Sequence, residues 1–322
     1  MAVTLEQAKL NVQDDLQMGV IDEFAKSNFI MRNIIFDNCV SPVGGGATLT
    51  YSYTRLKTQP TAGFREINKE YSSQEVTKER KSVDLKIFGG KFSIDRVIAN
   101  MGGIADEVAL QMSQKIKAAS ALFNDTVING DSGTDSKAFD GLEKALTGSS
   151  TEYTPAENID LSTSDMVDKN YKVFLDALDE FLMGLDGTPS MIAGNTKLIA
   201  KLRACARRSG MYQVTKDNFG QQVESYGGVP FVDLGSKPGT NDPVVPISNK
   251  GDGSQGTTSL YAVRFGLDGF HAVTVAGNEF IKTWLPDFTT AGAVKDGEVE
   301  AIAAVASKAT KAAGVMRKIK VA

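Results

Sequence analysis

The stretch Tyr51 to Lys69, "YSYTRLKTQPTAGFREINK", decides how this chain is read. It opens as a strand. Leu49, Tyr51 and Tyr53 alternate with Thr and Ser, the period-two pattern of a half-buried strand. It then turns polar, meets Pro60 and Gly63, and stays polar. The same character returns in residues 70–88, "EYSSQEVTKERKSVDLKIF", where Val83, Leu85 and Ile87 alternate with Asp84 and Lys86. Together the runs predict a two-stranded ribbon over 46–96. Its charges are mixed: Arg55, Lys57, Arg65, Lys69, Lys78, Arg80 and Lys81 face Glu66, Glu70, Glu75 and Glu79. Phe64 and Ile67 are apolar anchors near the tip. An isolated hairpin is marginal in water. A ribbon this long and polar does not belong to its own domain's core, so it needs another surface to lie on.

The flanking segments point the same way. Residues 1–45 read as an arm. Thr4 with Gln7 fits a capping box, Leu5, Ala8, Val12 and Leu16 make a helical stripe, and "FIMRNIIF" at 29–36 is too apolar to be free in water. Phe92 and Ile94 resume the strand pattern beyond Gly89-Gly90, where a bulge or bend is expected. Residues 103–128 predict a long helix, with Ile104, Val108, Met112, Ile116, Ala119, Phe123 and Val127 stepping by three and four. "NGDSGTD" at 129–135 ends it with turn residues. A second helix starts at Ser164 or Asp165, "SMIAG" at 190–194 reads as a short buried strand, and Asn195 caps a third helix. The runs "VPFVDL", "SLYAVRF", "HAVTV" and "FIKTW" follow as strands. The tail from Glu298 predicts two strands around a turn near Ala313-Gly314.

Composition bounds the function. The 322 residues are 42% hydrophobic and 23% charged, enough for a full core. A net charge of -4 is not the basic footprint of a protein that grips nucleic acid. Two distant cysteines, Cys39 and Cys205, fit a reducing compartment, and both are expected to be buried. The N-terminus has no apolar core of signal-peptide type, and no window approaches the roughly 18 apolar residues of a membrane span.

Catalytic chemistry is not selected. "GDSGT" at Gly130 to Thr134 overlaps the nucleophile loop of chymotrypsin-like proteases. A Ser132 nucleophile needs a base. The sole histidine, His271, follows the serine in the chain, whereas in those proteases it precedes it. A helix-ending turn is the better reading. One histidine, no CxxC pair and no HExxH leave no metal motif, and "NKGDGSQGT" lacks the GK[ST] of a phosphate loop. No catalytic, cofactor or metal residue is expected, and Cys205 beside Arg207 and Arg208 reads as core.

The order of arm, ribbon, long helix, α/β module and closing strands resembles the major capsid proteins of tailed bacteriophages, with their Hong Kong 97-type fold. "FNDTVINGDSGTDSKAFDGL" resembles the end of that family's spine helix, "SMIAGNTKLIAKLRA" its axial strand and helix, and "YGGVPFVDL" its "GxPV" strand. The resemblance covers essentially the whole chain. It implies an α+β fold divided as an N-terminal arm (1–45), extended loop (46–96), peripheral domain with spine helix (97–150), axial domain (151–290) and C-terminal strands returning to the peripheral domain (291–322). It implies an icosahedral head shell of hexamers and pentamers around double-stranded DNA, a virion location after assembly in the host cytoplasm, and portal and decoration proteins as partners. No scaffold-like segment precedes the arm, so a separately encoded scaffolding protein is expected. Arg55, Lys57, Phe64, Arg65, Glu66, Ile67, Lys69, Glu70, Lys78, Arg80 and Lys81 become intersubunit contact candidates, and Gly89, Gly90, Gly102 and Gly103 become hinge candidates for shell expansion. Some members cross-link neighbours through a Lys of the extended loop and an Asn of another subunit, aided by a Glu; no lysine here is aligned with that position, so no cross-link residue is carried over. Encapsulin compartments share the fold and are the close alternative; a soluble hydrolase is the distant one.

Overall fold

A computed structural model describes residues 29–41, 48–58, 60–100, 107–216, 222–248, 255–277 and 280–322. The capping box at Thr4 and the hinge candidates Gly102 and Gly103 lie outside them.

The polar alternation does form a ribbon. Thr50–Leu56 pairs antiparallel with Lys78–Asp84, from Thr50 opposite Asp84 to Leu56 opposite Lys78. Regular pairing stops there: none of the described residues between 57 and 77 is in a strand. Leu85 is buried and separates the ribbon from the next strand, Lys86–Asp95.

Lys86–Asp95 belongs to a five-stranded sheet. It pairs residue for residue with Val294–Ser307, from Lys86 opposite Ala303 to Asp95 opposite Val294. The other side of that long strand carries Ile281–Trp284 and Phe270–Val275, and Phe36–Val40 adds in parallel to the last. The bulge expected at Gly89-Gly90 is absent, because the register runs through both glycines unshifted. The reason is steric. A Cβ on Gly89 would stand 1.9 Å from the Val299 carbonyl oxygen, so glycine is there for close backbone approach rather than for a bend.

The long helix is Glu107–Asn129. At 1.5 Å per residue it spans about 34 Å. Its stripe packs as the spacing predicts: Met112 and Ala119 meet Phe92, Ile94 and Val299. Phe123, Val127 and Ile128 continue into a larger core with Ile30, Leu85, Phe139 and Phe270.

A second, eight-stranded sheet runs in the order Glu152–Tyr153, Ala313–Lys320, Thr257–Val263, Met191–Gly194, Val229–Asp233, Gln222–Tyr226, Gln213–Lys216, with Ile159–Asp160 also on Ala313–Lys320. Helices Ser164–Met183 and Thr196–Ser209 pack on it, Phe174, Leu178, Leu202 and Cys205 meeting Ile192, Leu260 and Met316. Thr163 caps the first helix by accepting from the Met166 amide at 3.2 Å. Asn195 caps the second from the Lys197 amide at 2.9 Å, as its sequence position predicts.

The tail does form two strands around a turn, and the turn falls just before Ala313-Gly314. The chain leaves Val294–Ser307, makes a 3-10 turn at Thr310–Ala312, and enters Ala313–Lys320 in the other sheet. Gly314 lies inside that strand, where a Cβ would meet Leu185 and Phe181 side chains at 2.8 Å. Only the first tail strand therefore joins the sheet next to the ribbon. Thr257–Val263 and Phe270–Val275 divide between the sheets in the same way, so the expected cuts at 150 and 290 do not follow the sheet pairing. The expectation for the cysteines is corrected: Cys205 is buried but Cys39 is exposed. Cys39 sits on Phe36–Val40, paired on one side only among the described residues, and shares its exposure with Asn38.

Candidate assembly surface

The ribbon divides into an anchored stalk and a free tip. Period two puts Tyr51, Tyr53 and Arg55 on one face with Val83, Lys81 and Glu79. Tyr51, Tyr53 and Val83 pack against the core. The Tyr53 hydroxyl donates to the Ser307 carbonyl at 2.8 Å, and the Tyr51 hydroxyl to Asp37 at 3.2 Å. Arg55 donates to the Thr310 hydroxyl at 2.6 Å. Lys86, just beyond the stalk, donates to the Ser136 carbonyl at 2.9 Å. The predicted contact residue Arg55 is thus engaged by its own subunit.

Beyond Leu56 the character changes. Every described residue from 57 to 77 is exposed. The bonds described for this segment are internal. The Lys57 amide donates to Thr77 at 2.8 Å, the Thr58 and Thr77 hydroxyls meet at 2.7 Å, and Thr61 and Gln74 are bonded across the segment. At the end, Lys69 pairs with Glu66 at 2.5 Å, and the Arg65 guanidinium lies 5.5 Å over the Tyr71 ring. Phe64 is fully exposed at 109%, and Ile67 follows at 88%. Leu56, Tyr71 and Val76 are also exposed; sequence reading did not single these three out, although each is a large apolar residue in a polar run. Large side chains left in water next to a packed core mark an interaction surface.

The charged candidates split. Glu66–Lys69 and Glu79–Lys81 are internal pairs, the latter at 2.6 Å, and Lys81 holds the Glu79 carboxyl below its usual range. Lys57, Glu70, Lys78 and Arg80 are exposed. Gly89 and Gly90 sit in the continuous ladder with Val294–Ser307.

The "GDSG" string forms the helix-ending turn that its sequence predicts. Asp131 accepts from the Gly133 amide at 2.9 Å and the Thr134 hydroxyl at 2.7 Å, closing the turn after the long helix. Lys144, which sequence reading missed, reaches Ser132 Oγ at 3.0 Å, Asp131 at 2.7 Å and Asp140 at 2.9 Å. The two carboxylates raise the Lys144 pKa, so the amine nearest Ser132 stays an ammonium and is no base. His271 is elsewhere, buried in Phe270–Val275 beside Asp37 and Tyr51. A cleft of about 690 Å³ beside the turn is lined by Asp125, Asp131, Asp135 and Glu143, yet no group of metal-ligand geometry occurs among the described residues.

No family model and no curated protein matches the chain. Solved structures do. The holo-SrpI encapsulin complex from Synechococcus elongatus is similar over 99% of this chain and 97% of its own, at 14% identity and a TM-score of 0.68. The capsid of the native GTA particle is similar over 100% and 99%, at 12% identity and 0.61. A chain from Mycobacterium phage Bobi is similar over 98% and 99%, at 12% identity and 0.61. Identities this low carry the fold, and they carry it end to end. The chain has the α+β Hong Kong 97-type capsid fold.

Proposed function

We propose that this chain is a major capsid protein whose copies close into an icosahedral shell around the double-stranded DNA of a tailed phage or prophage. One observation carries the reading. On a fold shared end to end with shell proteins, the 57–77 segment projects with Phe64 and Ile67 exposed and no partner described in its own subunit. Its partner is a neighbouring copy. Burying a Phe or Ile fully contributes about 1.5–3 kcal/mol, and exposed ion pairs about 1 kcal/mol or less, so the apolar tip outweighs the charges. Each copy touches several others in hexamers and pentamers, and closure multiplies these modest contacts.

The role is mechanical rather than enzymatic. The net charge of -4 suits a wall along which DNA must spool in and later leave. A separate scaffolding protein, a portal and a decoration protein complete the assembly, which forms in the host cytoplasm and persists in the virion. A second reading, an encapsulin-like compartment, rests on the same end-to-end fold similarity to the encapsulin complex.

The test is expression of the full chain, alone and with the neighbouring phage genes, followed by electron microscopy and analysis of particle contents. Capsomers or irregular shells alone, and regular DNA-containing shells with the other genes, are expected. Monomers under every condition would sink the proposal. Uniform closed shells that carry one packaged enzyme and no phage DNA would replace it with the compartment reading.

A further inference from the structure

His271 is the only histidine of the chain, and its ring is completely buried. Among the described residues neither ring nitrogen has a well-formed hydrogen bond, the backbone influence on it coming from Gly269. Buried polar groups are nearly always paired, so an imidazole without a well-formed bond calls for a reason. Its surroundings supply one, because they hold the foot of the ribbon. Asp37 Oδ2, on Phe36–Val40, lies 3.9 Å from His271 Nε2. The same carboxylate accepts the Tyr51 hydroxyl at 3.2 Å and lies 4.0 Å from Lys308 Nζ. The Tyr51 ring stands edge-on to the imidazole at 5.9 Å, and Lys308 sits 5.6 Å over that ring. Among the described residues, Cys39 on the same strand as Asp37, and Asp268 before the histidine strand, are the other titratable groups that act on the site.

We propose that His271 is an acid-sensitive latch on the foot of the ribbon. While neutral, the imidazole lets Tyr51 close over Asp37. Once charged, it favours an open foot, in which Thr50–Leu56 and Lys78–Asp84 swing off the core and the imidazolium reaches water.

The sign follows from linkage. Burial and then the Lys308 ammonium hold the His271 pKa below its ordinary value, and the Asp37 carboxylate only partly opposes them. In the open foot the imidazole returns to about 6.5. A group whose pKa is depressed in the closed form penalises that form as pH falls below the free value. Each unit of separation shifts the ratio of open to closed by about tenfold. The latch belongs to the single subunit and does not depend on the shell reading.

The lone histidine makes the test direct. Its carbon-bound ring proton, in carbon-13-labelled full-length protein, reports one titration. Hydrogen exchange followed by mass spectrometry reports the foot at 50–56 and 78–84, with the long helix Glu107–Asn129 as control. The expected midpoint lies below about 6.5. Around it, exchange at the foot, corrected for its intrinsic pH dependence, rises while the helix stays protected. His271→Gln removes that pH dependence. The latch is wrong if the midpoint lies at or above about 6.5, or if the foot does not respond. Loss of protection by the whole chain together, or a Gln variant that keeps the response, also overturns it. If the Gln variant does not fold, the wild-type midpoints decide: agreement within about half a pH unit supports the latch, and a larger gap overturns it.

Discussion

Gly89 and Gly90 are adjacent, flexible by type, and look alike in sequence. Their surroundings are opposite. A Cβ on Gly89 would collide with the Val299 backbone at 1.9 Å, whereas on Gly90 the nearest atom is the Lys115 side chain at 3.6 Å. A hinge would need freedom at both positions; close packing needs glycine at one. Gly89→Ala is therefore expected to destabilise by about 1–3 kcal/mol through backbone displacement. Gly90→Ala should be neutral or slightly stabilising, since it only trims the unfolded ensemble. Thermal unfolding of the two variants checks this. Equal effects would restore the hinge reading. The same limit explains Cys39. Sequence registers a small apolar residue, but whether its strand has a neighbour on the outer side is a tertiary fact. Asn195 was legible because capping is local: Asn before a helical run finds its partner two residues on.

At the scale of the element, what was legible followed periodicity. The 3.6-residue stripe of Glu107–Asn129 and the two-residue alternation of Tyr51 and Tyr53 each predict a buried face, and both faces are buried or half-buried at the described positions; Ile104 lies outside these. The limits of the ribbon were less legible. Polarity is continuous from Arg55 to Lys81, yet Tyr53, Arg55 and Glu79–Lys81 belong to a stalk fixed to Ser307 and Thr310, and only 57–77 is free. No periodic signal separates an anchored polar strand from an unanchored one. The boundary sets the cut for an experiment. Lys57 already bonds to Thr77 at 2.8 Å, so replacing residues 58–76 with an Asn-Gly turn closes a hairpin without touching the stalk. The shortened subunit should melt cooperatively within a few degrees of the parent, since no core residue is lost. It should also fail to build shells, as should Phe64→Ser with Ile67→Ser in the intact ribbon. Sedimentation velocity beside thermal unfolding separates the two effects. Shells from the shortened chain would make the tip ornamental, and a chain that cannot fold would make it core.

The whole molecule is stitched rather than segmented. Thr257–Val263 and Phe270–Val275 enter different sheets, and so do Val294–Ser307 and Ala313–Lys320. The existence of the ribbon and of the long helix was legible, since each is continuous in sequence. Linear boundaries fail for the sheets, because strand order is set by long-range pairing that no local pattern encodes. The stitching has a consequence for stability. Ala313–Lys320 lies inside the eight-stranded sheet, antiparallel to Thr257–Val263 and parallel to Glu152–Tyr153 and Ile159–Asp160. Its Met316 and Ile319 are fully buried beneath the Ser164–Met183 helix and its neighbours. A fragment 151–290 keeps both helices and most strands of that sheet but loses this one. Thr257–Val263 would then expose one edge, and Leu260 and Ala262 would lose their cover. Removing two fully buried large side chains costs about 4–10 kcal/mol by the core-truncation scale, comparable to the whole stability of a domain. The fragment should therefore show no cooperative transition and should aggregate through the open edge. Adding a peptide of residues 308–322 should restore a melting transition and solubility. Calorimetry of the fragment with and without the peptide decides it: a sharp transition in the fragment alone would mean that the α/β module stands by itself and that the last strand is only a clasp.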